Sequence, residues 1–300
     1  MAAPLLIADV PWLLYRSYFA LPKSIVDGEG RPVNALLGTV NALLGALEPS
    51  RYTSAPRALA ACMGAEEATY RVRLYPAYHA HRDPMPEELR RQWELAPELL
   101  EGLGWTFVTH EELEADDVMF SFARAEQAAG GEALLVTGDR DLYGAVGERV
   151  SVVELSKGVV AGLIGAAEVR ERYGVDPGQV PDFIALRGDP SDGLPGAPGV
   201  GAKTAAELLG AHRSLDGVIA AAAAVAAGGV LPAKPLSARI AGAIAEHAAL
   251  LEDFKEIATL QRVAVELPGE QPTDHARGAA VAGKLGMRRL SERLAKLARE

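Results

Sequence analysis

WTFVTHEELEADDVMFSFARAEQAAGGEALLVTGDRDLY, residues 105 to 143, holds two short apolar runs with a helical pattern between them. WTFVTH (105–110) and ALLVTG (133–138) read as strands, and ADDVMFSFARAEQAA (115–129) reads as the helix that joins them. Strand, helix and strand in that order make a parallel crossover unit. Carboxylates follow each run: Glu114, Asp116 and Asp117 come after the first and a short loop, and Asp139 and Asp141 after the second. In sheets of this kind ligands collect beyond the carboxyl ends of the strands, so these acids stand where a site is expected.

The same pattern extends in both directions. LLIA (5–8) and ALAACM (58–63) are further strand candidates, SVVEL (151–155) is a fifth, and helical stretches cover 33–47 and 86–103. The predicted fold class is therefore α/β, a mostly parallel central sheet flanked by helices. Asp9 directly follows the first run, and Asp189 and Asp192 stand in LRGDPSDGLPGAPGVGAKTA, residues 186–205. Carboxylates gathered this closely do not all stay ionised without a countercharge. An all-oxygen set suits Mg²⁺ or Mn²⁺ better than zinc. Each acid alone has a structural explanation: Asp9 as a helix cap, EADD as acids of a helix's first turn, DRD as a turn. Recurrence at successive strand ends is what points to a metal site.

The glycines and prolines after Asp192 stop one helix and lead into another that begins near Ala202. Gly199 and Gly201 leave backbone N–H groups uncovered, and Lys203 and Thr204 open the helix, an arrangement that binds phosphate. The G-x-x-x-x-G-K-[ST] spacing is absent, which argues against a mononucleotide loop.

Composition is that of a globular chain: 300 residues, 49% apolar, with a formal net charge of −10. That charge argues against nonspecific polyanion binding over the whole surface, but the local basic clusters at 71–73, 79–82 and 90–91 remain available. The single cysteine, Cys62, lies in an apolar run and makes no internal disulfide. No apolar run reaches the roughly 20 residues of a membrane span, and the start carries no signal-peptide pattern, so the cytoplasm is the expected location.

The motifs LLIADVPWLLYRSYFALP, YRVRLYPAYHAHR, ELEADDV, TGDRDLY and LRGDPSDGLPGAPGVGAKTA, in that order over about residues 5 to 215, resemble the bacterial 5′-nuclease superfamily of 5′–3′ exonucleases and flap endonucleases. With no polymerase-sized extension after them, the free-standing form is expected. The resemblance implies a PIN-like nuclease core over 1–165 with an arch segment near 70–95, and a helical DNA-binding region over 166–300 with a helix-turn-helix-type turn near 194–205. It implies hydrolysis of DNA phosphodiesters at 5′ flaps, nicks or branched ends during replication and repair. Two or more metal ions would be held by Asp9, Glu114, Asp116, Asp117, Asp139, Asp141, Asp189 and Asp192. Two ions about 3.5–4 Å apart activate water and support the leaving oxygen. By the same resemblance Arg71, Tyr78 and Arg82 belong to the arch that handles the DNA strand, and a potassium ion sits on main-chain carbonyls of the turn.

Three positions depart from the family pattern. Gly64 stands where the family has a metal-binding aspartate, with Glu66 and Glu67 two and three residues further on; His79 replaces the phosphate-activating lysine, and Val10 a glycine. Neutral histidine would help a phosphate less than lysine does. On this reading Gly64→Asp with His79→Lys strengthens the site. The departures keep a noncatalytic branched-DNA-binding protein as the alternative, with a metal-dependent RNase of the PIN type more distant.

Overall fold

A computed structural model of the chain describes residues 3–48, 52, 54–156, 159–229 and 235–299. Six strands form one sheet in the order β3-β2-β1-β4-β5-β6. They are β1 (Leu5–Asp9), β2 (Ala58–Cys62), β3 (Thr106–Val108), β4 (Ala133–Val136), β5 (Val150–Ser156) and β6 (Val159–Ile164). The first five run parallel, in register Leu5 to Ala58 and Leu5 to Ala133, and β6 pairs antiparallel with β5 at the edge. β6 is an addition to the sequence expectation, since Gly162 interrupts its apolar run.

Every residue of β1 and β2 is buried, which explains why these strands read as continuous apolar runs: helices cover both faces of the sheet. Alternate side chains serve opposite cores. Leu5 and Ile7 join Val118, Met119 and Phe122 of α5 (Ala115–Ala128), with Phe183 and Ile184 of α7 (Val180–Arg187) behind them. Leu6 and Ala8 join Leu13 and Leu14 of α1 (Val10–Ala20), Leu36 and Leu43 of α2 (Asn34–Ala46), and Leu99 and Leu100 of α4 (Glu87–Gly102). The short α3 (Thr69–Leu74) follows β2, and α6 (Ala166–Tyr173) leads from β6 into the helical half.

That half comprises α7, α8 (Ala202–His212), α9 (Leu215–Ala226), α10 (Ala238–Glu246) and α11 (Ala248–Ala258). The chain then returns to the first half. Gln271 accepts from the Thr106 hydroxyl (2.8 Å) and Thr273 from the Trp105 indole (3.0 Å), which delivers α12 (His275–Lys284) to α4, with α13 (Arg288–Leu297) packed on α12. Leu290 and Leu294 of the amphipathic α13 are buried in the same core as Leu6 and Leu99. Among the described residues no single helix is long and apolar enough to cross a membrane.

Candidate metal centre

Strand order reverses between β1 and β4, the place where a parallel sheet opens a crevice at its carboxyl edge. Asp9 ends β1 and caps α1: its Oδ1 accepts from the Trp12 amide (2.9 Å), and its Oδ2 from the Thr137 hydroxyl beyond β4 (2.7 Å). Thr137 also accepts from the Asp139 amide (2.9 Å), and Asp139 in turn accepts from the Asp141 amide (2.9 Å). A chain of short bonds thus ties the ends of the two central strands together. The cap explanation of Asp9 and the turn explanation of DRD both hold.

Asp116, Asp139 and Asp141 are half-buried beside Asp9, close enough that each acts on the charge of a neighbour. Burial pushes the Asp9 carboxyl up to about 7, against the pull of its Thr137 and Trp12 bonds. Burial likewise raises Asp139 to about 6, with Asp192 and Asp189 adding to it. Asp116 and Asp141 lie well above the usual carboxylate range, first through burial and then through Asp139. Among the described residues no basic side chain pairs with Asp9, Asp116, Asp139 or Asp141. Among the described residues no three acids close on a single point. The donor set, oxygen only and without a basic partner among the described residues, fits hard divalent ions.

Other acids expected at the site are already engaged. Asp117 is fully buried and turns away, accepting from Arg71 (3.0 Å) and the Gln261 amide (2.7 Å). Successive residues of a helix point about 100° apart, so Asp116 and Asp117 cannot share one target. Glu114 accepts from Arg71 (2.8 Å), the Ala68 amide (2.9 Å) and the Tyr78 hydroxyl (3.2 Å to each oxygen). Arg71 and Tyr78 are each 4% exposed, so neither stands on the surface as the expected DNA contact. Arg71 pairs with both Glu114 and Asp117, because a buried carboxylate needs a partner. Asp189 pairs with Arg187 (3.0 Å) and accepts from the Ser191 amide (2.8 Å) and hydroxyl. Asp192 accepts from His79 Nε2 (3.0 Å) and Arg82 (3.1 Å).

The glycine-rich turn leads into α8 where the sequence places a helix start. Gly199 has φ 81°, which only glycine adopts freely, and Gly201 is the N-cap of α8 with no side-chain bond to its amides. Lys203 is exposed, 4.0 Å from Glu207, and Thr204 is half-buried. Arg239 of α10 adds a cation missed by sequence reasoning: a Cβ on Gly199 would stand 2.9 Å from its guanidinium. Thr137, Trp12 and Arg187 were missed as well, although all three lie inside the quoted motifs.

The model of the 5′–3′ exonuclease N-terminal resolvase-like domain matches residues 4–174, and that of the 5′–3′ exonuclease C-terminal SAM fold matches 175–279. The chain belongs to the 5′–3′ exonuclease family. A family member of that name from Mycobacterium tuberculosis is 39% identical over 243 residues, 74% of each chain. One from Streptomyces coelicolor is 38% identical over 231 residues, 72% of this chain and 74% of the other. The thermostable DNA polymerase I of Thermus thermophilus matches at 37% over 96% of this chain, which spans 32% of that protein. Among solved structures, the phage T5 D15 protein co-crystallised with metal ions shares the fold with TM-score 0.67 and 17% identity, over 98% of this chain and 99% of that one. The catalytic core of Rad2 in complex with DNA substrate follows at TM-score 0.61 and 13% identity, over 98% and 91%.

The departures from the family pattern take on a physical meaning here. A Cβ at Gly64 would stand 2.6 Å from the Glu114 carbonyl carbon and 2.7 Å from the Ala115 amide nitrogen. The 113–115 backbone occupies the space an aspartate would need, so an aspartate at 64 does not simply add a ligand. Glu66 and Glu67 are exposed, and no bond joins them to the four central acids. His79 does not stand in for a surface lysine either, being 2% exposed.

Proposed function

We propose that this family member is a structure-specific 5′ nuclease that hydrolyses DNA as a 5′–3′ exonuclease and flap endonuclease in replication and repair, acting in the cytoplasm. The observation that carries this reading is the cluster of Asp9, Asp116, Asp139 and Asp141, uncompensated by any basic side chain among the described residues, at the crevice of the sheet. The metal ions and DNA bound to the T5 and Rad2 relatives support it.

Asp9, Asp116, Asp139 and Asp141 would hold the ions, with Asp189 and Asp192 beside them and Glu114 fixing the floor through Arg71 and Tyr78. Mg²⁺ or Mn²⁺ bound there would activate water and neutralise charge building on the phosphate. Thr137 and the Trp12 amide keep Asp9 aimed at the crevice. Lys203, Arg239 and the free amides at the start of α8 would hold the backbone of the downstream duplex, with a potassium ion on the carbonyls of the same turn. Arg82, about half exposed and bonded to Ser191 and Asp192, is the arch cation left open to a passing strand.

A labelled 5′-flap duplex incubated with Mg²⁺, Mn²⁺ or EDTA tests the reading. Cleavage is expected with either metal and none with EDTA. Asp139→Asn should lower the single-turnover rate by more than the roughly 10–100-fold typical of losing a residue that only orients a ligand, while flap binding persists. Tight binding without cutting in either metal would replace this reading with a noncatalytic branched-DNA binder.

A further inference from the structure

His79 holds the backbone in the left-handed region at φ 56°, unfavourable for most side chains although histidine tolerates it better than many. Its contacts explain why. The His79 amide donates to the Asp192 carbonyl (3.1 Å), and Nε2 lies 3.0 Å from Asp192 Oδ1. A carboxylate only accepts, so Nε2 is the donor. Arg82 reaches the same oxygen (3.1 Å) and the Ser191 carbonyl (3.3 Å). The imidazole stacks on Tyr78 with ring centroids 3.8 Å apart, and Tyr78 is anchored on Glu114. The remaining ring nitrogen, Nδ1, is buried without a partner. A ring enclosed in this way offers no edge to an arriving phosphate.

We propose that His79 is a positioning residue for the metal centre: held between Tyr78 and the 189–193 loop, it sets the direction of the Asp192 carboxylate and does not touch the DNA phosphate. The inference rests on the reading of Asp192 as a member of that centre, which its field at Asp139 and Asp141 supports. A flat ring suits the task because stacking fixes its plane and leaves one donor aimed at one oxygen. A lysine there would add a second cation beside Arg82 at Asp192 Oδ1, on a side chain that Tyr78 cannot hold flat.

The test is Mn²⁺ binding to the DNA-free protein, followed by calorimetry and by the electron paramagnetic resonance signal of free Mn²⁺, alongside single-turnover cutting. His79→Ala is expected to weaken Mn²⁺ binding roughly tenfold or more, the usual cost of losing a group that orients a ligand. Asp192→Ala should weaken it at least as much, and the double variant no further, because the ring acts through the carboxylate. His79→Gln, whose amide can still donate to Oδ1, should recover part of the loss, and it carries the test if His79→Ala fails to fold. Unchanged Mn²⁺ affinity in both His79 variants with slower cutting would put the ring on the DNA and overturn the inference, as would losses that simply add in the double variant. If the wild type binds no Mn²⁺, the metal-centre reading itself falls and the inference with it. Normal wild-type binding with insensitive His79 variants sinks the inference alone.

Discussion

Residue 64 carries no side chain, and the backbone of 113–115 lies in the space this leaves. Gly64→Asp is therefore expected to lower unfolding free energy by about 1–3 kcal/mol, the usual cost of overpacking, and not to speed cutting. Denaturant titration checks this, and unchanged stability would mean that the 113–115 backbone yields. The central acids give a second expectation at this scale. In the metal-free fold Asp9 keeps its proton up to about 7 and Asp139 up to about 6, whereas both would release it near 3.8 once unfolded. The folded chain binds more protons across that window, so the contribution of these groups to stability is present below it and is lost as pH rises through it. Divalent ions bind the ionised forms and offset the loss. The increase in melting temperature on adding Mg²⁺ should thus be larger at about pH 7.5 than at about pH 5. An increment independent of pH would place the ions away from Asp9 and Asp139.

Elements decide which of several acids a site receives. α5 delivers Asp116 toward the crevice and Asp117 toward Arg71, and its phase is set by Val118, Met119 and Phe122 packing against the sheet. The start of α8 shows the same control, since Gly199 and Gly201 leave the first amides of the helix uncovered beside the exposed Lys203. Lys203→Ala should weaken duplex binding and reduce the slope of log affinity against log salt by about 0.9, the share of one phosphate contact. Binding measured across a salt series reads the slope directly. If it does not change, the duplex is held elsewhere.

At the scale of the molecule, α12 and α13 close the core that α1, α2 and α4 begin, so the last stretch of chain supports the first half. Leu294 is fully buried there. Leu294→Ala should cost about 2–5 kcal/mol of unfolding free energy, read from denaturant titration, although the residue lies in the helix farthest along the chain from Asp9. A cost near zero would mean that α13 docks without contributing to the core. Arg71 makes a comparable bridge, since its bonds to Glu114, Asp117 and the Ile257 carbonyl join α3, α5 and α11.

Five strands, the acids at their ends and the glycine-rich turn into α8 were legible in the sequence, because each is a local pattern. Apolar runs of strand length, a change to helical spacing and a glycine-rich helix start all lie within a few neighbouring residues. Local pattern could not say which of Asp116 and Asp117 faces the crevice, because that depends on the phase in which α5 packs. Nor could it show that Arg71 pairs with Glu114 and Asp117, that Gly64 is filled by backbone, or that His79 meets an aspartate 113 positions away. Those outcomes rest on close packing between distant segments, where a side chain's role follows from what the fold sets against it: a carboxylate beside a guanidinium becomes a structural pair, and one left among other acids becomes a place for a cation.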